Sequence, residues 1–435
     1  MRKLRWFWYL LGLVCLVHQP VLAQVPSPGA VQKERIVLLG GTIHVGNGQV
    51  LDNGFVVFEA GKITAVGQGT APTGAGKVID VKGKRVYPGL ISLNTPLGLT
   101  EVDAVRATVD MTESGNLNPN ARALIAYNTD SDIIPTIRSN GILLAQTTPR
   151  GGLLSGTSSV VQLDAWNWED AAYKADDAVH INFPPSFQRT GWWAEPGGSE
   201  KNKEREKAVQ IIETLLSDAS NYAKQSNSKD FNIKLESLKG LFDGRKKLFV
   251  HLEAAQDFIE AHKLSLKYGV KQVVWVGGNE CHLIVDYLKQ NNVAVVLERL
   301  YRLPDKMDDD VDLPYRQPYL LQQAGVIYSF DYSGDMEVMG SRNLPFVAGA
   351  AVRYGLTKEQ ALGAISLNAA RILGIDQRVG SLEVGKDANI VVSDGDLLDV
   401  ATNKVGLAFI QGRSVNLDDK QKQLNRKFAE KYGVK

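Results

Sequence analysis

After residue 35 the chain runs in short apolar stretches broken by glycine and asparagine. Ile36-Val37-Leu38-Leu39, Thr42-Ile43-His44-Val45, Gly54-Phe55-Val56-Val57-Phe58 and Lys62-Ile63-Thr64-Ala65-Val66-Gly67 are separated by Gly40-Gly41 and Gly46-Asn47-Gly48. Strand-length runs with such punctuation predict an antiparallel β unit. The pattern returns near the C-terminus, in the turn-rich stretch from Gly380 to Val392 and in Leu407-Ala408-Phe409-Ile410-Gln411-Gly412-Arg413. The two β segments are expected to pair into one small sandwich built from both chain ends.

Between them, strand and helix alternate. Leu248-Phe249-Val250, Val273-Val274-Trp275-Val276, Ala294-Val295-Val296-Leu297 and Val326-Ile327-Tyr328-Ser329 read as strands. A helix is predicted from about Ala255, with Phe258, Ile259, His262 and Leu266 on one face and Gly269 closing it. Thr357-Lys358-Glu359-Gln360 has the form of a capping box for the helix that runs to Leu373. Repeated βα units over about 290 residues suit an eight-fold β/α barrel, which typically needs ~250 residues plus insertions. A doubly wound sheet has the same periodicity and stands as the rival. The fold class is therefore α/β, a distorted eight-fold β/α barrel plus a small β-sandwich. The parts are a leader over 1–23, sandwich over 24–88, barrel over 89–378, and sandwich and tail over 379–435. Glu200 to Gln225 reads as a charged amphipathic helix inserted in the barrel. Ser186 to Ser199, with Trp192, Trp193 and Pro196, reads as an irregular loop.

The 435 residues are 44% hydrophobic, enough for a sizeable core. Arg2, Lys3 and Arg5, an apolar run from Trp6 to Val17, and Val21-Leu22-Ala23 have the order of a secretory signal cleaved after Ala23. An uncleaved anchor helix and a lipoprotein at Cys15 are the competing readings. Cleavage removes three cations, taking the net charge from +1 to −2. That near-neutral balance gives no reason to expect nucleic acid or an anionic membrane as partner. Only Cys281 then remains, so no intrachain disulfide is available. An exported chain without disulfides fits a periplasmic or secreted protein.

Three segments carry a resemblance. Val86-Tyr87-Pro88-Gly89-Leu90-Ile91-Ser92-Leu93-Asn94-Thr95-Pro96-Leu97-Gly98 is the first. The second runs from Arg342-Asn343-Leu344-Pro345 through Asn368-Ala369-Ala370-Arg371-Ile372-Leu373-Gly374. The third is Gly380-Ser381-Leu382-Glu383-Val384-Gly385-Lys386-Asp387-Ala388-Asn389. In this order they resemble the amidohydrolase superfamily, in particular its secreted imidazolonepropionase-like branch. The resemblance implies a barrel with a sandwich from both termini. It also implies a metal-dependent hydrolase of carbon–nitrogen, non-peptide bonds, in which the metal activates water and polarises a carbonyl.

The family's strand-one His-x-His reads Asn94 and Pro96 here. Asparagine is a poor replacement for imidazole at a transition metal, and proline has no side-chain lone pair. Of the family's ligand positions, His251 after strand five and Asp331 after strand eight are matched. The resemblance makes both metal ligands and Asp331 the catalytic proton shuttle, while a divalent metal such as zinc rests on these two alone. Glu253 shares a face with His251, as Asn182 does with His180. Asp335 and Glu337 lie near Asp331.

Trp166 and Trp168, in Asp164-Ala165-Trp166-Asn167-Trp168-Glu169-Asp170, are candidates for lining a substrate pocket. The Gly-, Ser- and Thr-rich stretch from Thr147 to Ser159 is a candidate anion-wrapping loop. Function forks into a hydrolase with an incomplete metal site and a catalytically inactive homologue. The latter would bind a ligand or pair with an active amidohydrolase. A small molecule is the expected ligand in either case. Family habit and the aromatic loop at Trp192 and Trp193 predict self-association or pairing with a related subunit.

Overall fold

The computed structural model describes residues 27–192, 194–225, 231–332 and 337–434. The expected leader, Trp193 and Asp335 lie outside them. The first strands are β1 (Ile36–His44), β2 (Val50–Glu59), β3 (Lys62–Gln68), β4 (Lys77–Asp80) and β5 (Arg85–Pro88). The barrel follows with β6 (Leu90–Thr95), β7 (Ile142–Thr147), β8 (Leu154–Gln162) and β9 (Ala172–Asn182). A hairpin of β10 (Phe187–Trp192) and β11 (Glu195–Lys201) precedes β12 (Lys247–Leu252), β13 (Val273–Gly277), β14 (Ala294–Leu297) and β15 (Tyr328–Phe330). The chain closes with β16 (Ile390–Ser393), β17 (Val405–Ile410) and β18 (Arg413–Ser414).

Both chain ends build one eight-stranded sheet in the order β18-β17-β16-β5-β1-β2-β3, with β4 on β1. This is the expected sandwich element. Its own core gathers Leu38, Ile43, Val56, Phe58, Ile390 and Phe409. Asp387, from the Gly-Ser-Leu-Glu segment, fastens the sheet to the barrel. It meets Lys62 Nζ at 2.5 Å and also accepts from the Tyr173 hydroxyl of β9.

The second sheet also has eight strands, β15-β14-β13-β12-β9-β8-β7-β6. It curls into a nearly closed barrel. Ile91, Leu93, Leu144, Val160, Phe249, Val274 and Val296 form an inner cluster, while Leu248, Val250 and Trp275 join a larger core with the flanking helices. The two faces of β12 thus carry alternate residues, as a strand requires. Neighbouring strands are parallel except at β8, which runs against both β7 and β9. The helix expected from Ala255 is found as Ala255–Lys267, and the Thr357 capping box is formed.

Two loop expectations are overturned. The stretch ending at Ser159 holds much of β8, every residue of which is buried. From Leu154 on its residues pair with β9, and Ser159 pairs with Thr147 of β7, so only residues 148–153 remain a loop. Glycine, serine and threonine suit this strand because small side chains fit a crowded barrel interior. The irregular loop after Ser186 is instead the β10–β11 hairpin. Among the described residues no helix is long and apolar enough to cross a membrane.

Candidate active site at the barrel mouth

Sites in β/α barrels lie where the strands end in the C-terminal direction. Here Asn94, His251 and Asp331 all reach that end. Asn94 adopts φ +49, a left-handed conformation that asparagine tolerates better than most residues. The β6–β7 register slips between Ser92 and Thr95. This local twist carries the Asn94 side chain across the seam between β6 and β15, where Asn94 Nδ2 donates to Asp331 Oδ2 at 2.8 Å. The two strands at the seam share no ladder among the described residues. The Asn94–Asp331 bond is therefore a side-chain bridge closing the barrel.

Arg150 occupies the same mouth. Its Nη1 donates to Asn94 Oδ1 at 3.1 Å and its Nη2 to the Asn94 carbonyl at 2.7 Å. The guanidinium also pairs with the Glu337 carboxylate. Burial holds the Glu337 carboxyl above its usual range, and the Arg150 charge opposes that rise.

Beneath the mouth lies a buried polar chain. The Asn94 amide donates to Gln146 Oε1 at 3.2 Å, and Gln146 Nε2 donates to Asp177 Oδ2 at 2.8 Å. Ser158 Oγ lies 2.8 Å from Asp177 Oδ1 and 2.9 Å from His180 Nε2. His180 Nδ1 lies 2.8 Å from His251 Nε2. Buried polar groups persist only when paired, and here each finds a partner. Burial, then the charges of His251 and Arg150, push His180 well below the usual histidine range. Burial first and Arg150 second push His251 down to about 3. Both rings are neutral near pH 7.

Glu253 follows β12 and Glu298 follows β14, and the two side chains hydrogen-bond to each other. Glu253 is held above the usual carboxylate range, by the protein around it first and by the Glu298 charge second, although part of its surface stays open to solvent.

The resemblance implies a divalent metal at this place, and the side chains present do not fit one. A zinc site usually draws on three or more protein ligands. Both ring nitrogens of His180 are engaged, and His251 has one left. Asp331 is held by Asn94, Glu337 is held by Arg150, and a guanidinium stands in the mouth. Among the described residues no group of three or more His, Cys, Asp or Glu is placed to hold a metal ion.

Of the residues picked from sequence, His251 and Asp331 share this mouth, joined in the hydrogen-bond pattern through Asn94, Gln146, Ser158 and His180. Trp166 and Trp168 do not join it. The reversal of β8 sends the loop after Gln162 to the opposite end of the barrel. There Trp166 is 66% exposed and Trp168 packs against the outer core. Asn182 pins Gly152 and Ser155. His44 pairs with Glu359 in the terminal sheet region, and His262 with the Tyr287 hydroxyl. Sequence reading missed Gln146, Ser158 and Asp177. A polar residue at alternate positions of an apolar strand is the signal that marks them.

The model of the Amidohydrolase family matches residues 318–418. The imidazolonepropionase of Syntrophobacter fumaroxidans is 41% identical over 69 residues, a stretch covering 16% of this chain and 16% of that protein. The imidazolonepropionase of Thermoanaerobacter pseudethanolicus is 21% identical over 393 residues, covering 83% of this chain and 88% of that one. Among solved structures, an amidohydrolase from Thermotoga maritima superposes with a TM-score of 0.77 at 22% identity, covering 88% of this chain and 99% of that one. The barrel, the terminal sheet and the family match over 318–418 all point the same way: this chain is similar to the amidohydrolase superfamily.

Proposed function

We propose that the protein is an exported, imidazolonepropionase-like hydrolase of carbon–nitrogen bonds in small amides or cyclic amides, working from an atypical mouth. The observation that carries this reading is the grouping of a fixed cation, a neutral imidazole and two adjacent carboxyl side chains, Glu253 and Glu298, at the strand ends. Arg150 offers positive charge where an oxyanion develops on a carbonyl. The Glu253–Glu298 pair offers one group to take a proton from water and one to give a proton to the leaving nitrogen. His251 is too weakly basic to remove a proton at neutral pH, and orients by accepting a hydrogen bond. The test is a panel of lactams, hydantoins and imidazolones with the purified protein. Turnover that falls at least ~100-fold in Glu253→Gln is expected, a loss typical of an acid–base group. No turnover of any member by folded wild-type protein overturns the reading.

One observation favours a second reading, that of a non-catalytic ligand-binding or partner subunit. The Arg150 guanidinium is already engaged by Asn94 and Glu337, so less of its charge faces a substrate. The same panel separates the two, since this reading expects binding without turnover.

A further inference from the structure

The buried chain beneath the mouth has a direction. The Ser158 hydroxyl has one hydrogen, and Asp177 Oδ1 at 2.8 Å accepts it. The lone pairs of Ser158 Oγ then face Gln146 Nε2 at 3.2 Å and His180 Nε2 at 2.9 Å. Gln146 Nε2 is a donor, and His180 Nε2 must be one as well. A neutral imidazole with its hydrogen on Nε2 has a lone pair on Nδ1. That lone pair faces His251 Nε2 at 2.8 Å, so His251 carries its hydrogen there. The remaining atom, His251 Nδ1, is left with a lone pair. It has no protein hydrogen-bond partner among the described residues, on a half-buried side chain at the end of β12.

We infer that Asp177, Ser158 and His180 are positioning residues that lock His251 as the Nε2–H tautomer, so that Nδ1 accepts a hydrogen bond from an N–H of the ligand. The ligand class follows from the chemistry. A lone pair on a ring that stays neutral selects a molecule with an N–H donor, such as a secondary amide, a lactam or a hydantoin. Fully N-alkylated analogues have nothing to give it. This assignment rests on the mouth being the ligand site, as proposed above, and does not require turnover.

The direction depends on Asp177 being a carboxylate. Burial, the largest influence, raises the Asp177 carboxyl, and the Ser158 hydroxyl, the Lys174 charge and Gln146 Nε2 at 2.8 Å oppose that rise in favour of the carboxylate. A proton on Asp177 would turn every bond around and move the hydrogen of His251 to Nδ1. Asp177→Asn makes the same change without altering shape, because the new amide can donate to Ser158.

Two measurements on the full chain test the inference. Nitrogen-15 spectra of the histidine side chains at pH 8 should show His251 protonated on Nε2 in the wild type. In Asp177→Asn the hydrogen should shift to Nδ1, and in Ser158→Ala, which cuts the chain, the two tautomers should mix. Ser158→Thr keeps the hydroxyl and should restore the wild-type signature. His251 protonated on Nδ1 in the wild type, or unmoved in both a folded Asp177→Asn and a folded Ser158→Ala, overturns the positioning role. Hydantoin should shift the His251 Nδ1 resonance and bind at least ~10-fold more tightly than 1,3-dimethylhydantoin, the worth of one hydrogen bond. Absent hydantoin binding, or equal binding of the two, overturns the ligand class. A correct tautomer with selective hydantoin binding but no lactam turnover removes the hydrolase reading and leaves this inference standing.

Discussion

At the mouth of the barrel, Arg150 lies against Glu337 and Asn94, Asn94 holds Asp331, and the histidines are neutral and bonded to each other. At the opposite end, Lys247, Lys271, Lys289 and Arg371 line a cavity of about 580 Å³. No carboxylate comes within salt-bridge reach of any of these four among the described residues. Lys247 and Lys289 are served by the Arg371 and Gly325 carbonyls, at 3.1 and 3.0 Å. The same strands thus end in matched charge on one side and in unmatched charge on the other. The convergence of titratable groups from five strands points to the mouth, where barrel chemistry is placed.

Breaking the matched end has the largest expected effect. Arg150→Met leaves Glu337 without its cation and Asn94 without two donors. A loss of roughly 2–4 kcal/mol is expected, slightly below the range for fully buried pairs. Urea unfolding measures it, and a change under about 0.5 kcal/mol would place the pair with ordinary surface ion pairs. The next test asks whether the guanidinium is what keeps a metal out. Asn94→His with Pro96→His should gain little zinc affinity while Arg150 remains, since two like charges would share the mouth. Adding Arg150→Met should raise zinc affinity at least ~30-fold over that double variant, about 2 kcal/mol. Calorimetric titration that finds the double and triple variants equal would show that charge does not set metal exclusion.

The smallest effect belongs to the unmatched end. Burial, and then the Lys174 charge, push Lys247 down to about 8 from an ordinary value of 10.5. The folded state therefore binds this proton less well than the unfolded chain. Stability contributed by the group rises between pH 8 and 10.5, and the penalty is fully present below pH 8. Lys247→Met should stabilise the protein by roughly 1–2 kcal/mol at pH 7 and flatten that rise. Thermal unfolding across pH 7–10.5 checks this, and a destabilised variant would mean that the lysine stem supports packing more than its charge disturbs it.

Much of the fold was legible because it is local. Glycine- and asparagine-bounded runs mark β1 to β3, and apolar runs alternating with helical periodicity mark β12 to β15. His251 and Asp331 were legible only through the family resemblance, which places its ligands at strand ends. The antiparallel β8 was not, because its Gly-, Ser- and Thr-rich sequence looks like loop until the barrel buries it. That one reversal also explains the misplaced tryptophans, since a strand not read at all carries the loop that follows it to the opposite end. The Asp177–Ser158–His180–His251 chain joins residues on three strands. No spacing along a sequence encodes a bond between side chains 71 residues apart.

The terminal sheet has a consequence for how the protein comes into being. Strand β5 leans on β1 along one edge, but its other edge is paired only by β16, Ile390 against Pro88 through Ser393 against Arg85. During synthesis that edge waits for some three hundred further residues, roughly 15–60 s at ordinary rates of elongation. For that interval the nascent chain carries an open strand edge, the kind of surface that recruits neighbouring chains. Completion of the terminal sheet therefore comes only after the barrel has been made, and a chain truncated inside the barrel carries a sheet with nothing to complete it.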